Sequence, residues 1–235
     1  MGSAGRIDIL LSHLHADHIQ GLGFFAPLFQ AGREVHIWGP RSATMDLRSR
    51  LARYLSAPLF PVHLRELPSR LTLHDVPLSG FEIGGIRVMA SLILHPGTTL
   101  AYRLVEQGEA LVYMSDHEPA LGTADLPESA DWTSGMALAS EADLLIHDSQ
   151  YSDEEYGEHV GWGHSSIAHT IAFAERAAVR RLVTFHHDPS HSDSDLEKMH
   201  SLASKQRLPF ELVPGVEGLS IEVGSGAGTI IKAEA

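Results

Sequence analysis

The chain has 235 residues, 43% of them hydrophobic, with 17 Lys and Arg against 30 Asp and Glu and a formal net charge of −13. That length suits one domain with a sizeable core, and the absence of cysteine removes disulfides and thiolate metal ligands together. No apolar run is long enough to span a membrane and no signal-peptide pattern opens the chain. The acidic balance, without any basic run, speaks against extended nucleic acid as a partner, and a cytoplasmic protein is expected.

The first elements are the apolar strand "RIDILL", Arg6–Leu11, and the strand "EVHIWG", Glu34–Gly39. Between them "IQGLGFFAPLFQ", Ile19–Gln30, reads as a helix. Ser42 is placed to cap a helix through "ATMDLRSRLARYLS", Ala43–Ser56, which Pro58 ends. From Leu71 to Ser115 the pattern turns to strands: "LTLHDV", "FEIGGIRVMASLIL" and "TLAYRLVEQGEALVYMS". Gly84-Gly85 and Gln107-Gly108 supply the hairpin turns. A looser stretch, Asp116–Gly135, precedes the buried-looking strand "ADLLIHD", Ala142–Asp148. Ser165 opens the helix "SSIAHTIAFAERAAV", the strand "RLVTFH" follows, and "DSDLEKMHSLASKQ", Asp193–Gln206, reads as a last helix. The fold class expected is α/β, with a hairpin-rich middle and helix–strand units near the end.

One stretch stands out. "SHLHADH" sets His13, His15, Asp17 and His18 within six positions directly behind the first strand. Either these side chains share a cation or they form a polar loop rich in histidine. Four more candidates occur at or just past strand ends: His95 after "SLIL", Asp116 after "LVYMS", Asp148 in "LLIHD" and His186 after "RLVTF". Taken singly, each has an ordinary reading as a strand-end histidine or a turn carboxylate. Open α/β sheets gather ligands beyond their strand ends, where distant residues converge. Imidazole and carboxylate suit zinc, manganese or iron. With His13 and His15 on one cation and Asp17 and His18 on a second, His95 would complete the first site and His186 the second. Asp116 would bridge them.

"His13-Leu14-His15-Ala16-Asp17-His18" resembles the H-x-H-x-D-H signature of the metallo-β-lactamase superfamily, and His95, Asp116 and His186 follow in that family's order. The resemblance runs from about Arg6 to His191 and implies a single metallo-β-lactamase-like domain over residues 1–235. It also implies an αββα sandwich, two divalent metal ions (zinc first, manganese or iron as alternatives) and hydrolysis by a metal-bound hydroxide. The stretch "HDSQY…GWGHSSIAHT…RLVTFHHDP" is similar to the ribonuclease Z and cyclic-nucleotide phosphodiesterase branch. By that match Asp148 orients His164, which protonates the leaving group, so Asp17, Asp148 and His164 are the expected catalytic residues. The strands that precede the signature in the family have no counterpart ahead of His13. A shortened sandwich and a homo-oligomer are therefore expected.

The function implied is hydrolysis of a small, cyclic-nucleotide-like phosphodiester. The alternatives are lactone, thioester or β-lactam hydrolysis, and a shortened metal-binding domain without turnover. Neighbouring His187 competes with His186 as the ligand. His117, His147 and the other histidines read mostly as surface or supporting residues. Trp162 is placed equally well in the core or on a cleft wall, whereas core packing is expected for Phe24-Phe25.

Overall fold

The computed structural model describes residues 5–120, 125–127, 129–224 and 230–232. The chain divides into two compact units, Met1–Leu78 and Ser79–Ala235.

The first unit is a parallel sheet with helical crossovers. Its strands β1 (Ile7–Leu10), β2 (Glu34–Gly39) and β3 (Arg70–Asp75) lie in the order β1-β2-β3. Alternation decides which way each strand faces. Val35 and Ile37 are fully buried among Leu28, Leu51 and Leu55, while Glu34, His36 and Trp38 point the other way. On that second face Asp8 pairs with His36 across β1 and β2, and Trp38 pairs with His74 across β2 and β3.

Between β1 and β2 the short helix α1 (Ala16–Ile19) gives way to two 3₁₀ segments, Gln20–Phe24 and Ala26–Phe29. The single helix expected over Ile19–Gln30 does not form. Gly21 and Gly23 weaken an α-helix there and Pro27 cannot donate to one. Phe24 is 81% exposed, contrary to the core position expected of it. The helix expected from Ala43 is shorter, α2 (Leu47–Tyr54), because Asp46 rather than Ser42 caps it; Asp46 Oδ1 accepts from Ser49 N at 2.7 Å.

The second unit is built on a mixed sheet, seven-stranded among the described residues, in the order β10-β9-β8-β7-β6-β5-β4. The strands β4 (Phe81–Ile83), β5 (Ile86–Ile93), β6 (Thr99–Glu106) and β7 (Glu109–Met114) form an antiparallel meander. Its tight turns are those expected: Gly84, Gly85, Gln107 and Gly108 all have positive φ. The strands β8 (Leu144–Asp148), β9 (Arg181–Phe185) and β10 (Glu211–Pro214) then add in parallel to β7.

The helices of this unit are α3 (Met136–Ala139), α4 (Asp153–His159), α5 (Ile167–Arg176) and α6 (Asp193–Ala203). A two-stranded ribbon, β11 (Leu219–Ile221) with β12 (Ile230–Lys232), follows. Phe173 and Ala174 of α5 pack with Val112, Met114, Leu145 and Leu182 of the sheet, all of them buried. Among the described residues no helix is long and apolar enough to cross a membrane.

This topology sorts the candidate residues. β5 runs antiparallel to β6, and β6 antiparallel to β7, so β5 and β7 point the same way; β8 and β9 are parallel to them. His95, Asp116, Asp148 and His186 follow or end β5, β7, β8 and β9, so all four emerge at one end of one sheet.

Candidate metal centre

In the second unit, Asp116 sits between two imidazoles. Its Oδ2 lies 3.6 Å from His95 Nε2 and 3.5 Å from His186 Nε2, with all but a fringe of the three side chains buried. Those separations exceed the 2.7–3.2 Å of a good N–H···O hydrogen bond. They fit donor atoms about 2.0–2.2 Å from a shared tetrahedral cation, which would stand roughly 3.4 Å apart. The donor set of nitrogen and carboxylate oxygen therefore suits a divalent metal.

Each histidine is aimed by its other nitrogen. The Gly163 carbonyl accepts from His95 Nδ1 at 2.8 Å, and the Gln150 Oε1 atom accepts from His186 Nδ1 at 3.0 Å. Both Nε2 atoms are thus directed at Asp116, the outer-shell arrangement that fixes tautomer and ring orientation. His186 also has φ 56°, a left-handed backbone that costs a residue with a Cβ about 1–3 kcal/mol. This sharp turn after β9 separates the two neighbouring histidines. His186 faces Asp116, whereas His187 bonds toward Gly215, and its pKa is lowered chiefly by burial.

Asp148 and His164 form a separate pair. The Asp148 carboxylate is fully buried, and its Oδ2 accepts from His164 Nδ1 at 2.7 Å and from His117 N at 3.1 Å. Its Oδ1 accepts from Gln150 N at 3.0 Å and Ser165 N at 3.1 Å. Four donors occupy about all the acceptor positions a carboxylate has, so Asp148 holds His164 rather than a cation. Asp148, His164 and His186 each offer a ligand-type atom within 4.8 Å of the others, and the His164 and His186 rings stack at 5.1 Å and 6°.

Beneath this lies a buried histidine relay. The Asp148 carbonyl accepts from His147 Nδ1 at 2.7 Å, and His147 Nε2 lies 2.9 Å from His117 Nδ1, within hydrogen-bond reach. Burial lowers both pKa values, His117 well below the usual histidine range. Both are buried behind Asp148, so of the two readings given for the unassigned histidines they take the supporting one.

The sequence reading missed Glu118, Gln150 and Gly163. Glu118 is 2% exposed, and its carboxylate accepts from Gly161 N at 2.7 Å, Gly163 N at 2.8 Å and the Tyr156 hydroxyl at 2.9 Å. It thereby clamps the loop that carries the acceptor for His95 and leads into His164. The available signal was an acid two residues beyond Asp116 in "SDHEPA".

In the first unit, the signature folds as the turn from β1 into α1. The His13 ring lies 4.4 Å from His15 and 4.2 Å from His18, and His18 Nε2 is 3.0 Å from Asp17 Oδ2. Ser12 Oγ is 3.1 Å from His13 Nδ1, which leaves Nε2 as the ligand-side atom. His13 is buried, His18 half-buried, and His15 and Asp17 are exposed.

The beta-lactamase superfamily domain matches residues 2–187 of the chain. Ribonuclease Z of Myxococcus xanthus (strain DK1622) is 27% identical over 265 residues, covering 94% of this chain and 83% of that protein. Among solved structures, the metallo-beta-lactamase fold protein YhfI from Bacillus subtilis superposes with a TM-score of 0.62 at 19% identity, over 88% of this chain and 74% of that one. The short form of human tRNase Z gives 0.58 at 22% identity, over 77% and 73%.

The ribonuclease Z relatives overturn the expectation that extended nucleic acid is excluded as a partner. The error was physical: a net charge summed over 235 residues does not report the local field where phosphate binds, and the sum omits bound cations. The chain belongs to the beta-lactamase superfamily and is a metal-dependent hydrolase of the metallo-β-lactamase fold.

Proposed function

We propose that the chain hydrolyses phosphodiesters with two divalent cations, for which His13, His15, Asp17 and His18 of the first unit and His95, Asp116 and His186 of the second are the candidate ligands. On this reading the chain is a single metallo-β-lactamase-like domain. The observation that carries it is Asp116 Oδ2, between His95 Nε2 and His186 Nε2 at 3.6 and 3.5 Å, beside the Asp148–His164 pair. Zinc is the cation that best suits this nitrogen and oxygen set.

When bound, the cations supply activation of water and neutralise phosphate charge. The protein's own part is orientation and proton transfer. Gly163 and Gln150 keep the His95 and His186 rings turned inward. Asp148 holds the His164 Nδ1 proton and stabilises an imidazolium, so His164 Nε2 can give its proton to the departing alkoxide.

The test is elemental analysis of the full chain purified without chelator, joined to turnover on bis(4-nitrophenyl) phosphate, a cyclic nucleotide, a 3′-extended transfer RNA and a thioester. About two transition-metal ions per chain are expected, falling in both His13→Ala and Asp116→Ala. His164→Ala is expected to keep its metal and lose about 10²–10⁴-fold in phosphodiester turnover. A chain that binds no metal, or that turns over only the thioester, would sink the proposal.

A further inference from the structure

The loop that carries His164 also presents an indole to solvent. Trp162 is 60% exposed, yet its backbone is held from both sides. The buried Glu118 carboxylate takes the N–H groups of Gly161 and Gly163, and Trp162 N donates to His159 O at 3.0 Å. Gly161 and Gly163 have φ 89° and 90°, a turn that L-residues rarely adopt. A large apolar side chain is thus kept in water by a rigid, buried scaffold.

Its surroundings are aromatic. The His159 ring lies 4.9 Å from Trp162 at 78° and stacks on Tyr151 at 4.3 Å and 20°. Tyr151 in turn meets His164 edge-on at 6.1 Å, and His164 stacks on His186. Five rings therefore run in file from the ligand His186 to the exposed Trp162. Tyr151 stays a neutral phenol in that file, its pKa pushed up to about 12, first by burial and then by Asp188 and Asp148. Trp162 stands two residues from His164, so their Cα atoms are at most about 7 Å apart.

We propose that Trp162 is a specificity residue: its indole stacks on the nucleobase attached to the phosphate being cleaved. The substrate class is a nucleotide phosphodiester, as distinct from an alkyl or sugar-only one, and this deepens the function proposed above and rests on it. Stacking suits such a role because every base has a π face and the indole needs no particular hydrogen-bond partner. The loop supplies a backbone already held at the root of the indole before the base arrives.

Two measurements on the zinc-loaded full chain test this. The first compares KM and kcat for a diadenosine phosphodiester and for its abasic counterpart in wild type, Trp162→Ala and Trp162→Phe. Trp162→Ala should raise KM for the base-bearing substrate about 10-fold, with a smaller effect on kcat. KM for the abasic substrate should be unmoved, and Trp162→Phe should restore most of the loss. An equal change on both substrates, or none on either, overturns the proposal.

The second measurement is quenching of tryptophan fluorescence by adenosine monophosphate, which needs no turnover. Quenching present in wild type and absent in Trp162→Phe supports stacking even if no phosphodiester is cleaved, in which case only the hydrolytic reading fails. Quenching identical in the two proteins overturns the stacking proposal whatever the turnover.

Discussion

Gly163 shows how much of this site depends on a position without a side chain. It has φ 90°, and a Cβ there would lie 2.2 Å from Pro96 Cδ and 2.6 Å from His95 Nδ1. Gly163→Ala therefore combines a backbone penalty with a clash against a ring that cannot swing away. We expect a loss of about 2–3 kcal/mol in urea unfolding, together with reduced metal content because His95 is displaced. Unchanged metal content in a folded Gly163→Ala protein would contradict the role given to this carbonyl. The candidate ligands were readable from their order along the chain, because each follows a strand and the first four are packed into one motif. Their supports were not. Glu118, Gln150 and Gly163 act through hydrogen bonds to residues 36 to 68 positions away, and nothing local distinguishes them from surface residues.

Among the elements, α5 does most to fix the region behind Asp148. Ser166 caps it, its side chain accepting from His169 N at 3.2 Å, one residue later than the start expected at Ser165. Thr170 donates to the Asp148 carbonyl, and the fully buried Phe173 lies 4.9 Å from His147 and 5.4 Å from His117. Truncation by Phe173→Ala is expected to cost about 3–5 kcal/mol, and a chemical denaturation midpoint measures it. A cost below about 1 kcal/mol would mean the core behind the relay collapses freely. The hairpins and parallel strands were legible because turn glycines and β-branched runs are local signals. The 3₁₀ segments after α1 were not, since apolar spacing alone overrode the glycines and the proline.

At the scale of the whole molecule, acid sensitivity follows from the histidines. The pKa values of His74, His117, His147, His187 and His200 are all lowered, first of all by burial. Their usual value of 6.5 applies in the unfolded chain, so below about that pH the unfolded state binds protons that the folded state refuses. Stability is thus fully present above that range and is lost as pH falls through it. Carboxylates with lowered values, such as Asp8 and Asp188, act only in a lower window, below about pH 4. The melting temperature of the chelated protein should fall between pH 7.5 and 5.5, and a flat profile would contradict this reading.

The succession of strands along the chain, the α/β class, the metal-ligand motif and the family resemblance were determined by the sequence alone, because each rests on local spacing and chain order. The acidic balance misled about nucleic acid, because binding responds to a local field and not to a sum. Only the tertiary structure decided that Asp148 is saturated by four donors, that His186 and not His187 turns to Asp116, and that Trp162 stands in solvent on a clamped loop. These depend on which backbone groups meet a buried carboxylate or imidazole, and such meetings are set by the folding of the sheet around them.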